Sequence, residues 1–120
     1  MPLAAGTDLI EIRRIAVLLE RYGERFLQRV FTPAELTACE GRPDSLAARW
    51  AAKEAVAKAL GTGIGQVAFR EIEVVLDDCR CPSLRLHGAA EALAADRGLT
   101  QWAISLAHDG GLALAFVVAM

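Results

Sequence analysis

Lysine is almost missing from this chain. Of its 13 basic residues only Lys53 and Lys58 are lysines, and the rest are arginines. A basic excess is missing too. The 15 acidic residues leave a net charge of −2, which excludes the strongly basic footprint of a nucleic-acid binder. No long hydrophobic run exists. The longest covers residues 112–120, nine positions, against the roughly 20 that a spanning helix needs. No membrane partner is therefore expected. The first residues, Met1-Pro2-Leu3-Ala4-Ala5-Gly6-Thr7-Asp8, lack a basic region followed by an apolar one, so the expected location is cytoplasmic. Cysteine is scarce and odd in number, at three, which excludes a disulfide framework. Cys79 and Cys81 would point the same way on a strand. No Cys-x-x-Cys or His-x-x-x-His spacing accompanies them, so all three are expected as free thiols.

Apolar residues are what the chain does have. They make up 54% of 120 residues, enough for a packed core and too much for a disordered chain. No linker, repeat or low-complexity tract divides it, so residues 1–120 are expected as one domain. Residues 3–12 read as a strand with Asp8 near its middle. Residues 15–19 read as a helix stopped near Gly23, and residues 26–31 as another turn or two. Thr32-Pro33-Ala34-Glu35 is a helix start: Thr caps, Pro suits the first position and Glu closes a capping box. That helix should run to about Glu40 and break at Gly41-Arg42-Pro43. Asp44 or Ser45 can cap the next one, residues 46–60, which is rich in Ala and ends at Gly61. Residues 71–76 and 84–86 read as strands, 88–97 as a helix, and 102–107 and 112–119 as the last two strands. Asp109-Gly110-Gly111 signals a hairpin between those. The last strand is apolar on both faces, which hints at an oligomer interface. The expected class is α+β, a single compact domain with a small, mostly antiparallel sheet packed on a long Ala-rich helix.

The long helix is the place to look for chemistry. At 100° per residue, Ala48, Ala52, Ala55 and Ala59 form one narrow stripe, so something must pack very close to it. Arg49, Lys53, Glu54 and Lys58 occupy the other half of the wheel. Glu54 and Lys58 are four apart, which taken alone is an ordinary surface pair. The helix runs into Gly61-Thr62-Gly63-Ile64-Gly65, however, and glycine-rich loops let backbone amides approach an anionic oxygen. This is not the phosphate loop whose glycines precede the lysine, because the order here is reversed. Asp8 is a carboxylate in an apolar strand. If it faces Glu54, the two supply oxygen donors of the kind that hold Mg²⁺ beside a phosphate. His108 ends a strand just before a turn, either as a solvated residue or as a group at the mouth of a site. His87 has no such neighbours. Arg14, Arg21 and Arg25 share one stripe if their helix continues, either as a solvated face or as a docking surface for an acidic protein.

Together these residues resemble the holo-acyl-carrier-protein synthases, the small stand-alone 4′-phosphopantetheinyl transferases. Residues 6–15 resemble the family's opening G-x-D-(hydrophobic)-x-E-x-x-R-(hydrophobic) segment. Phe31-Thr32-Pro33-Ala34-Glu35-Leu36 is similar to its F-T-x-x-E-(hydrophobic) helix start. Residues 49–65, RWAAKEAVAKALGTGIG, match its central signature nearly letter for letter, and Ile104-Ser105-Leu106-Ala107-His108 resembles its I-S-x-(S/T/A)-H segment. The resemblance covers the chain end to end. It implies a 4′-phosphopantetheinyl transferase-like fold and a reaction. Coenzyme A donates its 4′-phosphopantetheine arm to a serine of apo-acyl carrier protein and leaves as 3′,5′-ADP, in the service of fatty-acid synthesis. The alternatives are carrier domains of polyketide or peptide synthases, or a non-catalytic module that binds coenzyme A.

The resemblance further implies roles. Asp8 and Glu54 match the family's Mg²⁺-binding carboxylates. Lys58 matches the lysine near the diphosphate, and Glu54, Lys58 and His108 are the catalytic candidates. Arg49, Lys58, Gly61, Thr62, Gly63, Ile64, Gly65 and His108 are the candidates for binding coenzyme A. Arg14 matches an arginine on the carrier-protein docking helix, with Arg21 and Arg25 beside it. The family forms homotrimers with sites between subunits, which suits the two-sided apolar last strand. One segment departs from the pattern. Relatives often carry G-x-P between the second and third strands, where this chain has Arg80-Cys81-Pro82. A positive φ would strain Arg80, so a different loop is expected there.

Overall fold

The computed structural model describes residues 2–120. The chain order is β1 (Ala4–Glu11), α1 (Ile12–Tyr22), α2 (Glu24–Val30), α3 (Pro33–Cys39), α4 (Pro43–Ala59), β2 (Ile72–Leu76), β3 (Pro82–Leu86), α5 (Gly88–Asp96), β4 (Trp102–Asp109) and β5 (Leu112–Ala119). A three-stranded antiparallel sheet has the order β1-β5-β4, and β2 and β3 form a separate hairpin. The expected α+β class and element order hold.

Helix α4 is the axis of the molecule, packed chiefly on β1 and β5. Ala113, Ala115, Val117 and Ala119 of β5 point at it and are buried, while Leu112, Leu114 and Phe116 point away and are exposed. The strand that reads as apolar on both faces is thus covered on only one. Gly110 and Gly111 both take positive φ, 58° and 81°, as a two-residue turn with this twist requires.

Three details differ from the sequence reading. Pro43 opens α4 instead of breaking the chain before it. Arg42 is the extended N-cap residue and Pro43 sits in the first turn, where its fixed φ is helical and its missing N–H is not needed. Asp44 does not cap the helix. It accepts from the neighbouring Ser45 amide at 2.7 Å. Cys79 and Cys81 lie in the turn between β2 and β3, inside the connection expected between those strands. That turn keeps a positive φ at Arg80, 62°, although a different loop was expected. Asp77 holds it in place. Its Oδ1 accepts from the Cys79 and Cys81 amides, both at 2.8 Å, and its own amide donates to the Cys81 carbonyl at 3.0 Å. These bonds offset the cost of the left-handed residue.

The other end of the core is tied by buried polar groups. Thr32 and Glu35 form the capping box foreseen for α3. Glu35 also receives Lys53 Nζ at 2.7 Å and the Val74 amide at 3.0 Å. Lys53 donates as well to the Phe69 and Ile72 carbonyls, and its side chain and that of Glu35 are fully buried. Burial pulls the Lys53 ammonium below its usual range, and the Glu35 charge opposes that pull. Thr32 passes the network to Glu73 at 2.6 Å, and Glu73 meets His87 Nε2 at 3.0 Å. Every partner of Lys53 is inside this network, so Lys53→Ala strands a buried carboxylate. The expected loss is about 3–5 kcal/mol, read as a lower midpoint in urea denaturation. A midpoint like that of the natural chain would contradict the pairing.

Candidate functional site

Strand β1 supplies the first carboxylate. Gly6, Asp8 and Ile10 turn toward α4, and Thr7, Leu9 and Glu11 turn out. Gly6 lies against the Ala55 carbonyl of α4, so closely that a Cβ there would collide with helix backbone. This contact explains the small-residue stripe: β1 rests on the α4 backbone. Asp8 is carried two residues beyond it and becomes half-buried beside α4.

Glu54 and Lys58 meet Asp8 from the helix. Burial pushes the Glu54 carboxyl up, the Asp8 charge pushes it further, and Lys58 and Arg14 oppose the rise. Asp8 and Glu54 therefore converge. Lys58 does not pair with Glu54 along the helix. It reaches across to β1, donating to the Thr7 carbonyl at 2.9 Å and to Asp8 Oδ1 at 3.1 Å. About half of its side chain stays exposed, and it borders an open cavity of about 340 Å³ with Ala5, Gly6, Thr7 and Phe116. Two repelling carboxylates with an exposed ammonium beside them form a donor set for a hard divalent cation and a phosphate.

The loop at residues 61–65 is folded on itself. Gly61, Gly63 and Gly65 all take positive φ, which ordinary side chains resist. The Gly61 amide donates to Lys58 O, the Thr62 and Gly63 amides to Ala57 O, and the Gly65 amide to Val67 O. Among the described residues, only the Ile64 amide of this loop has no acceptor. Arg97 of the segment after α5 donates to the Leu60 carbonyl and packs against Gly61. It anchors the point where the loop leaves the helix.

Arg49 points elsewhere. It is nine positions before Lys58, about 180° around the helix. It is buried, and its Nη1 donates to Ser45 O at 3.3 Å. Among the described residues its buried Nε has no partner. Arg49 lines a cavity of about 360 Å³ with Arg42, Ser45, Arg80, Pro82 and Ser105. Three guanidiniums and an unsatisfied donor there suit an anion. The sequence reading gave neither Arg42 nor Arg80 a binding role, because no spacing links residues 42, 49 and 80. Gly6 was also missed as a packing residue, although a glycine inside a strand is a signal of close backbone approach. His108 is exposed on β4, three residues past Ser105, and has no side-chain partner among the described residues. His87 is occupied with Glu73.

Arg14, Arg21 and Arg25 are all exposed, but not on one helix. Gly23, at φ 54°, ends α1 and starts α2. Arg14 lies 6.0 Å from the Trp50 ring centre and within electrostatic reach of Glu54. Arg25 joins Tyr22, Phe26 and Arg29 around a separate hollow.

This fold and the grouping of acidic, lysine and arginine side chains suit an enzyme of phosphoryl transfer. The family profile described as "ACPS: 4′-phosphopantetheinyl transferase superfamily" matches residues 4–117, and the chain belongs to that superfamily. A relative from Herpetosiphon aurantiacus, called "Holo-[acyl-carrier-protein] synthase", is 54% identical over 98% of both chains. The crystal structure of Helicobacter pylori holo-[acyl-carrier-protein] synthase in complex with coenzyme A superposes with TM-score 0.89 at 31% identity. It covers 97% of this chain and 99% of that one. The Neisseria meningitidis enzyme gives TM-score 0.88 at 38% identity, over 98% of this chain and 97% of its own.

The close approach of β1 to α4 makes Gly6 a sensitive position. Gly6→Ala should cost at least about 1–3 kcal/mol of stability through overpacking, read as a lower urea midpoint. An unshifted midpoint would mean that β1 does not rest on the helix backbone.

Proposed function

We propose that this chain transfers the 4′-phosphopantetheine arm of coenzyme A to a serine hydroxyl of an apo-acyl carrier protein, releasing 3′,5′-ADP. The convergence of Asp8, Glu54 and Lys58 carries the reading, in a chain matched over nearly its full length by enzymes of that name. Serine attack on the β-phosphorus moves negative charge onto phosphoryl oxygens, so the protein's task is to position the reactants and hold that charge. Lys58 is a point ammonium on the exposed side of the cluster and supplies part of it. Burial and the Asp8 charge both raise Glu54, and a divalent cation would relieve the repulsion between the two carboxylates, so Asp8 and Glu54 are the residues that would hold Mg²⁺. When bound, that ion neutralises charge on the transferring phosphoryl group.

Arg49 completes the assignment. The phosphate on the ribose of coenzyme A needs guanidinium donors, and the Arg42, Arg49 and Arg80 cavity supplies them, with His108 further along the β4 wall. Arg49 and Lys58 point to opposite sides of α4, so one subunit offers the two halves of a site facing apart. A complete site then joins the arginine half of one subunit to the carboxylate–lysine half of the next. Three subunits close such a ring. The exposed Leu112, Leu114 and Phe116 face of β5 is the surface we assign to that closure. Arg14, Arg21 and Arg25 form the face toward an acidic carrier protein, with Arg14 bordering Glu54. We assign the fatty-acid carrier protein as the client, in the cytoplasm.

The test is the mass of apo-acyl carrier protein after incubation with coenzyme A and Mg²⁺. One added phosphopantetheine is expected, and Glu54→Ala should slow its addition at least about a hundredfold even in saturating Mg²⁺. No gain on any member of a carrier panel would leave a module that only binds coenzyme A. The sharing of sites has its own test. Arg49→Ala and Lys58→Ala chains, each inactive alone, should regain about a quarter of natural turnover when equal amounts are unfolded and refolded together. That is the chance that a random contact joins one intact half from each. No recovery from mixed assemblies would put both halves in one subunit.

A further inference from the structure

The turn between β2 and β3 carries two exposed thiols that the reaction does not use. Cys79 and Cys81 flank Arg80 and are both solvent-exposed, while the third cysteine, Cys39, is buried. Burial pushes the Cys39 thiol up, which withdraws it from thiolate chemistry. On a strand, residues two apart are separated by about 6.6 Å. That is too far for Cβ atoms that a disulfide holds about 3.8 Å apart. Here the chain does not run as a strand. Arg80 has φ 62°, the left-handed bend of a turn whose ends meet where the Asp77 amide donates to the Cys81 carbonyl. Asp77 Oδ1 gathers both cysteine amides at 2.8 Å, and the Arg80 amide donates to the Asp77 carbonyl at 2.9 Å. The left-handed residue and the shared acceptor fold the backbone of both cysteines into one tight turn.

The loop is also a wall of the arginine cavity. Arg80 and Pro82, each next to a cysteine, line it opposite Arg42 and Arg49. We propose that Cys79 and Cys81 form a reversible disulfide by exchange with a small-molecule disulfide, and that the bridge moves Arg80 and weakens anion binding in this cavity. The second half rests on the assignment of that cavity to coenzyme A, and the first half does not.

The exchange balances in two steps. The thiolate of one cysteine attacks a sulfur of the small disulfide, giving a mixed disulfide and releasing one small thiolate. The thiolate of the other cysteine attacks the protein-bound sulfur, closing the Cys79–Cys81 bond and releasing the second. Both protons lost by the cysteines end on the released thiols. The protein loses two hydrogens and two electrons, and the small disulfide gains them. Closing the ring draws the Cβ atoms together and turns the peptide planes on either side of Arg80. The guanidinium turns with them.

Trypsin makes the bond directly visible, because it cuts after Arg80, between the two cysteines. The natural full-length chain is incubated with glutathione disulfide, remaining thiols are blocked with a maleimide, and the digest is weighed. Peptides 71–80 and 81–85 should appear joined, lighter by two hydrogens than their sum, and should separate after reduction. A Cys79→Ser chain should carry only a mixed disulfide at Cys81. Stable glutathione adducts on both cysteines of the natural chain, links between chains, or no reaction would overturn the bridge. The oxidised natural chain should show a KM for coenzyme A raised at least roughly tenfold, as expected for losing one charge-assisted hydrogen bond. Its kcat should change little. Reduction should restore the KM, and a Cys79→Ser/Cys81→Ser chain should keep its KM in the oxidant. Joined peptides with an unchanged KM would overturn the coupling to the cavity. If the chain transferred no phosphopantetheine at all, the joined peptides would still report the disulfide, so the two failures are distinguishable.

Discussion

Everything at the candidate site depends on how closely β1 lies to α4. A helix and a strand normally stand apart by the thickness of their side chains. Here the strand contributes Gly6 and the helix contributes alanines, so backbone meets backbone at Ala55. The β1–β5 register continues from that contact, and Asp8 arrives beside Glu54 as a consequence. Two carboxylates brought together in a partly buried place repel. Lys58 answers that repulsion by reaching across to β1 rather than along its own helix. The chemistry is thus a by-product of tight packing. A larger residue at position 6 would separate the strand from the helix before it touched any site residue.

The two lysines divide the labour of cations in this chain. Lys53 is sealed inside, with the Glu35 carboxylate and two carbonyls as its partners. Only a slender, single-headed cation with three donors fits such a cage, and a planar guanidinium would not. Lys58 stands half in solvent, where a compact charge can meet a phosphate. Five positions separate them on one helix, and that rotation is enough to make one structural and leave the other free for a ligand. The arginines line the cavity where a wide fork of donors is useful, and they face solvent on α1 and α2.

Rotation about α4 also underlies the proposed sharing of a site between subunits. Arg49 and its cavity open on one side and the Asp8, Glu54 and Lys58 group on the other, while β5 leaves an apolar row without cover. A helix that serves as the hub of a small domain has no spare face on which to gather both halves. The β2–β3 turn adds a variable element to the arginine half. Its left-handed Arg80 sits between two thiols, tying the shape of that wall to the state of the loop.

Much of this was legible in the residues alone. Hydrophobic period, the Thr32 capping box, the Gly110-Gly111 turn and the alanine stripe determined the elements and their order, because each is a local property of a few neighbouring side chains. The block at residues 49–65 determined the family for the same reason: its letters are contiguous. The start of α4 was misread because Pro43 serves equally well as a breaker and as a first helical residue, and only the path of the chain before it decides which. The shape of the Arg80 turn was misread because the bonds from Asp77 that hold it do not show in the spacing. The tertiary structure alone decided that Asp8 faces the helix, that Lys58 bonds β1 instead of Glu54, that the loop amides at residues 61–65 are mostly spent internally, and that Arg42 and Arg80 join Arg49. Each depends on which surfaces meet across tens of residues, and a period along the chain carries no information about distance between its parts.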